Sequence, residues 1–330
     1  MAKIILGIGT SHSPLLLLES QKWAFRSADD RRNPALNTLD GRLLSYDQLV
    51  AERGEHFVKE SDPAGFEALA RAAEAALDRL AATLKAAKPD VVLVIGDDQG
   101  ELFGHENMPA LAVYRGDEVV MAGMESRKGP PWADQAFWAG YRMDVPNRYP
   151  AAPALGLELV HGLIRQGVDV ASSDRVADPG KRAFGHAFGF VLERLMKDVP
   201  VPMLPVLLNT YFPPNTPTAA RCHEIGGKIA AALAASPSEA RIAVVASGGL
   251  SHFLCEEAFD RQLMQAMRSH DLATLTQVPQ QALLSGSSEI RNWIMLMGAI
   301  PHLACVQSDY IPVHRTPLGT GIGLGFAAWQ

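Results

Sequence analysis

At 330 residues the chain exceeds the usual length of a single domain, so one large domain or two tightly packed halves are open. Its 48% hydrophobic and 20% charged content is that of an ordinary globular protein that buries a core without covalent staples. The net charge of −6 lacks the basic footprint that a nucleic acid or a membrane surface requires, which excludes those partners but not a local basic pocket for a small anion.

In chain order, Lys3 to Gly9 reads as a buried strand, followed by the turn Ser11-His12-Ser13-Pro14. A histidine on a turn at the carboxyl end of a strand stands where open α/β sheets place their ligands. Residues 19–61 are polar, with turn signals at Asn33-Pro34 and Asp40-Gly41, and read as an irregular lid or insertion. Asp62-Pro63 then forms a cap and first-turn pair. The helix it opens runs to Ala87, with Phe66, Leu69, Ala73, Leu77, Leu80 and Leu84 on one face.

The run Asp90 to Gly96 is almost wholly apolar, as in a strand covered on both faces, and it ends on Asp97-Asp98-Gln99. Adjacent residues of an extended segment point to opposite faces, which argues against Asp97 and Asp98 acting as a carboxylate pair. Residues 123–150 are rich in Trp, Gly and Pro and read as surface structure near the site. Further strands are expected at 110–114, 168–172, 203–208, 242–247 and 303–308. Helices are expected near 154–166, 186–196, 218–235, 256–268 and 288–298. The alternating Gly319 to Gly325 reads as a tightly packed terminal strand, since no helix follows it to cradle a phosphate. No Gly/Ser linker divides the chain, so residues 1–330 read as one α/β domain with a mixed central sheet covered by helices.

Four segments carry the chemistry: the His12 turn, Phe184-Gly185-His186, Gly248-Gly249-Leu250-Ser251-His252, and Ser285-Gly286-Ser287-Ser288-Glu289. Each has a plainer reading alone, such as Glu289 facing the dipole of the helix it opens. His186 at a helix start suits a neutral, hydrogen-bonding ring, and His252 has a ring that titrates near working pH. Two histidines and a carboxylate with open positions describe a non-haem Fe(II) oxygen site. There is no HExxH, Cys-rich cluster or GxSxG elbow. Cys222, Cys255 and Cys305 are odd in number and widely spaced, which suits reduced thiols. With no leader pattern and no run of about 18 apolar residues, a cytoplasmic, unprocessed protein is expected.

These segments, in this order, resemble the class III (LigB-like) extradiol ring-cleavage dioxygenases, the family of protocatechuate 4,5-dioxygenase β subunits and gallate and 3-O-methylgallate dioxygenases. Thr10 to Pro14, Pro89 to Val94, Asn209 to Pro214, Gly248 to His252, Ser285 to Glu289 with Trp293 to Met295 and Gly298 to Pro301, Tyr310 to Pro312 and Thr316 to Gly319 all carry the likeness. It implies the LigB-like fold, Fe(II) on His12 and Glu289, His252 as the acid/base residue, and His186 as a hydrogen-bonding partner of the substrate. The family's second metal histidine falls on Gln99. That leaves three readings open: Gln99 ligates through its amide oxygen; Asp98, Glu101, His105 or His56 replaces it; or the metal is lost. Tyr310, Tyr211, His314, Arg315 and Asp98 are the expected substrate contacts, with Arg315 pairing with a carboxylate.

The expected reaction is ring opening of a carboxylated catechol by dioxygen. The partners implied are that small aromatic and O2, with a homodimer or a small helical subunit alongside. A binding protein of the same fold and a metal-dependent hydrolase remain as alternatives.

Overall fold

A computed structural model describes residues 1–123 and 133–330. Nine strands form one mixed sheet: β1 (Lys3–Thr10), β2 (Val91–Asp97), β3 (Leu111–Tyr114), β4 (Ala171–Ser173), β5 (Met203–Leu208), β6 (Arg241–Ser247), β7 (His252–Leu254), β8 (Cys305–His314) and β9 (Thr320–Trp329). Their spatial order is β7-β9-β1-β6-β2-β5-β3-β4, with β8 also paired to β9. The central strands β1, β6, β2 and β5 run parallel. The flanking pairs β9–β1 and β3–β5 are antiparallel.

Every residue of β2 is buried, as its unbroken apolar run requires when helices cover both faces. Val92 and Val94 pack with helix Pro63–Ala87, whereas Val91, Leu93 and Ile95 pack with helices Ala219–Ala234 and Ile290–Ala299. The glycines of β1 answer to the second of these layers. A Cβ on Gly9 would stand 2.2 Å from the Trp293 ring, so only glycine lets the helix lie against the strand there.

The parallel register sets the site. Thr10 pairs with Ser247, Ser247 with Gly96 and Gly96 with Leu207. The segments that leave these strands, carrying His12, Asp97 to Gln99, Tyr211 and Gly248 to His252, therefore start from one row at the carboxyl ends.

Most expected elements lie within two or three residues of their observed bounds. The segment 19–61 is not irregular as expected, because it forms regular elements packed on the domain. It holds helices Trp23–Arg32 and Tyr46–Arg53 and a small ribbon of Leu36–Asn37 with Leu43–Leu44. Trp23 is buried against Phe66 and donates Nε1–H to the Leu15 carbonyl at 2.9 Å. Ser45 and Gln48 form a reciprocal capping box. Of the 123–150 region, residues 124–132 lie outside the described residues; the rest includes helix Gln135–Ala139 and a short strand Arg148–Pro150. His252 begins β7 and pairs with Ile322. No helix among the described residues is long and apolar enough to cross a membrane.

A buried ion pair fastens the 19–61 segment to the end of the chain. Arg315 donates Nε–H and an Nη–H to Asp30 at 2.7 and 2.9 Å, and Thr320 adds an Oγ1–H at 3.0 Å. Removing one partner of such a pair strands the other charge in the interior. Asp30→Ala is expected to destabilise the protein by roughly 3–5 kcal/mol in urea unfolding. A loss below about 1 kcal/mol, the range of exposed pairs, would contradict this anchoring role.

Candidate active site

A cavity of about 320 Å³ opens over the carboxyl ends of the central strands, in the size range of small-ligand sites. Phe137, Trp138, Tyr141, Met143, Phe253 and Ile322 supply its apolar wall. His12, Gln99, Glu101, His186, Tyr211, His252, Glu289, Arg26 and Arg315 supply its polar groups.

His12 is held by its turn on several sides. Ser11 N–H donates to the Gly325 carbonyl at 2.9 Å, and Tyr141 Oη–H donates to the His12 carbonyl at 2.7 Å. Ser247 Oγ–H donates to the Ala187 carbonyl at 2.7 Å, so this hydroxyl meets His12 Nδ1, 3.0 Å away, as an acceptor. The Nδ1 of His12 therefore carries the proton, and Nε2 presents its lone pair to the site. That Nε2 lies 3.2 Å from Glu289 Oε2.

The same tautomer logic holds for the other two rings. His252 Nδ1 lies 2.8 Å from the Leu250 carbonyl, which only accepts, so Nε2 is its basic nitrogen, 3.6 Å from Glu289 Oε1. His186 Nδ1 lies 2.6 Å from Glu101 Oε1, which leaves Nε2 as its free nitrogen. Gly286 makes room for the His252 ring: a Cβ there would come within 2.0 Å of its Cδ2. Ser287 exchanges hydrogen bonds of 3.0 Å with the backbone of His252. The Ser285-to-Glu289 motif thus shapes the seat of His252 as well as presenting the carboxylate.

Glu289 ends a 3-10 turn (Ser285–Glu289) and caps helix Ile290–Ala299. Its Oε2 accepts the Gly249 N–H at 2.6 Å. From the same helix, Asn292 and Trp293 donate to the Ser247 and Gly248 carbonyls at 2.8 and 2.7 Å. Glu289 and the strand-end turn therefore move as one unit.

Burial works against charge throughout the cluster, and the neighbours decide the outcome. Glu289 is desolvated, yet positive charge on the facing His12 and His252 rings, when they are protonated, holds its carboxyl well below the usual range. Burial pushes the Asp97 carboxyl up, and the nearby Glu289 charge adds to this. Burial opposes a charged His186, but the Glu101 carboxylate outweighs it and, with Asp97 and Glu289, pushes the ring up to about 10. Glu101, desolvated too, is held down to about 2 by His186. His186, expected to be neutral at a helix start, faces the Glu101 carboxylate through Nδ1, which favours its charged form.

Among the described residues, His12, Asp97, His186 and Glu289 each offer one donor atom, all within 4.8 Å of one another. His12 Nε2 and Asp97 Oδ1 are buried without a hydrogen-bond partner. Unpartnered donor atoms of mixed imidazole and carboxylate chemistry fit a divalent transition ion such as Fe(II). Sequence reasoning did not single out Asp97, although strand alternation carries the signal. Val91, Leu93 and Ile95 face the layer of helix Ile290–Ala299, and Asp97 continues that face towards Glu289.

The remaining candidates divide. Tyr211 and Arg315 line the cavity, Arg315 with its guanidinium fork already on Asp30. Three expected contacts do not line it. Asp98 accepts the backbone N–H groups of Glu101, Leu102 and Phe103 and fixes their loop. Tyr310 donates its hydroxyl to Asp260 at 2.9 Å. His314 stacks on Phe57 and pairs with Glu257 at 2.8 Å. Of the replacements considered for Gln99, Asp98 caps that loop, Glu101 holds His186, and His56 and His105 are exposed outside the cavity. Arg26, half-buried beside Arg315, is a cavity residue that no motif pointed to.

If Ser247 fixes the His12 tautomer, Ser247→Ala is expected to weaken binding of a divalent ion by about 10- to 100-fold, as loss of an outer partner of a ligating histidine does. Competition against a chelator measures this, and an unchanged affinity would contradict it.

The family model described as the catalytic LigB subunit of aromatic ring-opening dioxygenase matches residues 56–318, most of the chain. The match takes in Gln99, His186, His252 and Glu289, with His12 ahead of it.

Proposed function

The chain belongs to the LigB family of catalytic subunits of aromatic ring-opening dioxygenases, and we propose that it is an Fe(II)-dependent extradiol dioxygenase of the cytoplasm acting on a carboxylated vicinal diol of the gallate, 3-O-methylgallate or protocatechuate type. The observation that carries this reading is one cavity in which His12, His186, His252 and Glu289 converge, with each ring's Nδ1 already committed to a partner. A module that only binds has no physical need for three histidines fixed in this way. A hydrolase reading lacks the HExxH or thiolate ligand pattern of zinc sites.

His12 and Glu289 would hold the ion. Fe(II) bound there supplies a Lewis acid for the diol oxygens and a centre for activating O2. The protein's own groups handle protons and orientation. His252 accepts the second hydroxyl proton at Nε2, since its other nitrogen is spent on the Leu250 carbonyl. The same Nε2 returns that proton as the ring opens. Burial disfavours the charged His252 ring, but the Glu289 carboxylate outweighs this and raises its pKa. His186, its Nδ1 held on Glu101, donates from Nε2 to a substrate oxygen. Phe253, Trp138 and Ile322 exclude water around the aromatic ring.

The preference for a carboxylated substrate rests on Arg26, which lines the cavity beside Arg315. Burial and Arg315 disfavour the Arg26 charge while Asp30 and Asp29 favour it, and its place in the cavity lining would bring it to a substrate carboxylate. Protocatechuate is expected to exceed catechol in kcat/KM by about 10- to 100-fold, the worth of a charge-assisted hydrogen bond. Equal values would remove Arg26 from this role. In oxygen-electrode assays of Fe(II)-loaded protein, His252→Ala is expected to lower kcat by roughly 10²- to 10⁴-fold, with iron content unchanged. Full activity in this variant, or no uptake by the parent protein on any diol, would overturn the reading.

A further inference from the structure

We propose that Asp97, not Gln99, completes the metal-binding set with His12 and Glu289, and that Gln99 is the clamp holding the two carboxylates. The identity of the ion rests on the ring-opening reading above; the ligand set rests on geometry alone.

The Gln99 side chain faces the wrong way to ligate. Its Nε2 lies 3.0 Å from Asp97 Oδ2 and 3.3 Å from Glu289 Oε1. An amide nitrogen in that position donates its hydrogens and has no lone pair to give a metal. Turning the amide over would set its oxygen against two carboxylate oxygens, so the neighbours themselves dictate the orientation. Gln99 thus ties one oxygen of Asp97 and one of Glu289 to a single planar group.

Asp97 shows the complementary pattern. With Oδ2 on Gln99, its Oδ1 is left buried and unpartnered, 4.0 Å from the equally unpartnered Nε2 of His12. That nitrogen is in turn 3.2 Å from Glu289 Oε2. Metal–ligand bonds of about 2.1 Å set neighbouring and opposite donors about 3 to 4.2 Å apart, so both separations suit one shared ion. A set of His12, Gln99 and Glu289 would instead leave Asp97 Oδ1 buried close to the ion without a partner. With Asp97 included, two carboxylates balance the charge of a divalent ion.

His186, the fourth member of the cluster, keeps its Nδ1 on Glu101, and the proposed reaction assigns its Nε2 to the substrate. The resulting set has one imidazole and two carboxylates. It is harder than a two-histidine set and shifts selectivity towards ions such as Mn(II).

The test reads cobalt(II) binding alone, by calorimetry and by the visible absorption of the bound ion, without substrate or dioxygen. A wrong ligand set then leaves the ring-opening reading standing, and a failed ring-opening assay leaves the ligand set standing. Asp97→Asn is expected to weaken cobalt binding by more than about 100-fold and to change the absorption band. Gln99→Ala is expected to cost only the roughly 10- to 100-fold typical of residues that orient ligands. Thermal unfolding separates ligation from a structural role. Asp97→Asn should match or exceed the parent's midpoint without metal, because it removes a buried charge beside Glu289, and should lose most of the rise that cobalt gives. Three results would overturn the proposal: parent-like cobalt binding in Asp97→Asn, a Gln99→Ala loss larger than that of Asp97→Asn, or a lowered metal-free midpoint with the cobalt-induced rise intact. Loss of cobalt binding in His186→Ala, with Asp97→Asn unaffected, would assign the third position to His186 instead.

Discussion

Asp97 and Glu289 are two carboxylates buried within reach of the same histidine nitrogen, and much of the site answers to that placement. Two like charges out of water repel and are poorly solvated, so each must be hydrogen-bonded, matched by a cation, or protonated. The chain meets part of the demand with the Gly249 N–H and the Gln99 amide. The donor atoms left over, together with the lone pair of His12, are the chemistry of a divalent ion site.

The surrounding scaffold makes this arrangement rigid. Parallel pairing sets the ends of β1, β6 and β2 level, and Asn292 and Trp293 lock the turn after β6 to the helix that carries Glu289. Ser247, Leu250 and Glu101 each settle the proton of one histidine. Function therefore depends on residues that never touch a substrate. A ring with the wrong nitrogen protonated neither ligates nor accepts a proton, however well it is placed. The buried Asp30–Arg315 pair extends this order to the 19–61 segment, which brings Arg26 to the cavity.

Much of this was legible in the sequence for definite physical reasons. The unbroken apolar run of β2 and the three- and four-residue spacing of Pro63–Ala87 report burial directly, and both elements stand where expected. The His12, His252 and Glu289 segments were recognisable because their glycines and serines serve backbone contacts that few other residues can make, as Gly286 does beneath the His252 ring. What escaped detection depends on partners far away in the chain. The 19–61 segment looked irregular because its order comes from Trp23 against Phe66 and Asp30 against Arg315, neither of which local periodicity reveals. Tyr310 and His314 looked like substrate contacts from their place in a motif, but Asp260 and Glu257 claim them. Asp97 was passed over as half of an adjacent pair, although the same alternation that separates it from Asp98 directs it at Glu289.

The central claim is that this cavity inserts dioxygen into an aromatic ring. Its most direct test is one turnover experiment with heavy-isotope dioxygen, the anaerobically Fe(II)-loaded protein and a carboxylated catechol, with the product read by mass spectrometry. The expected product is ring-opened and carries both labelled oxygen atoms. An intact ring, or oxygen consumed without label entering a ring-opened product, would contradict it.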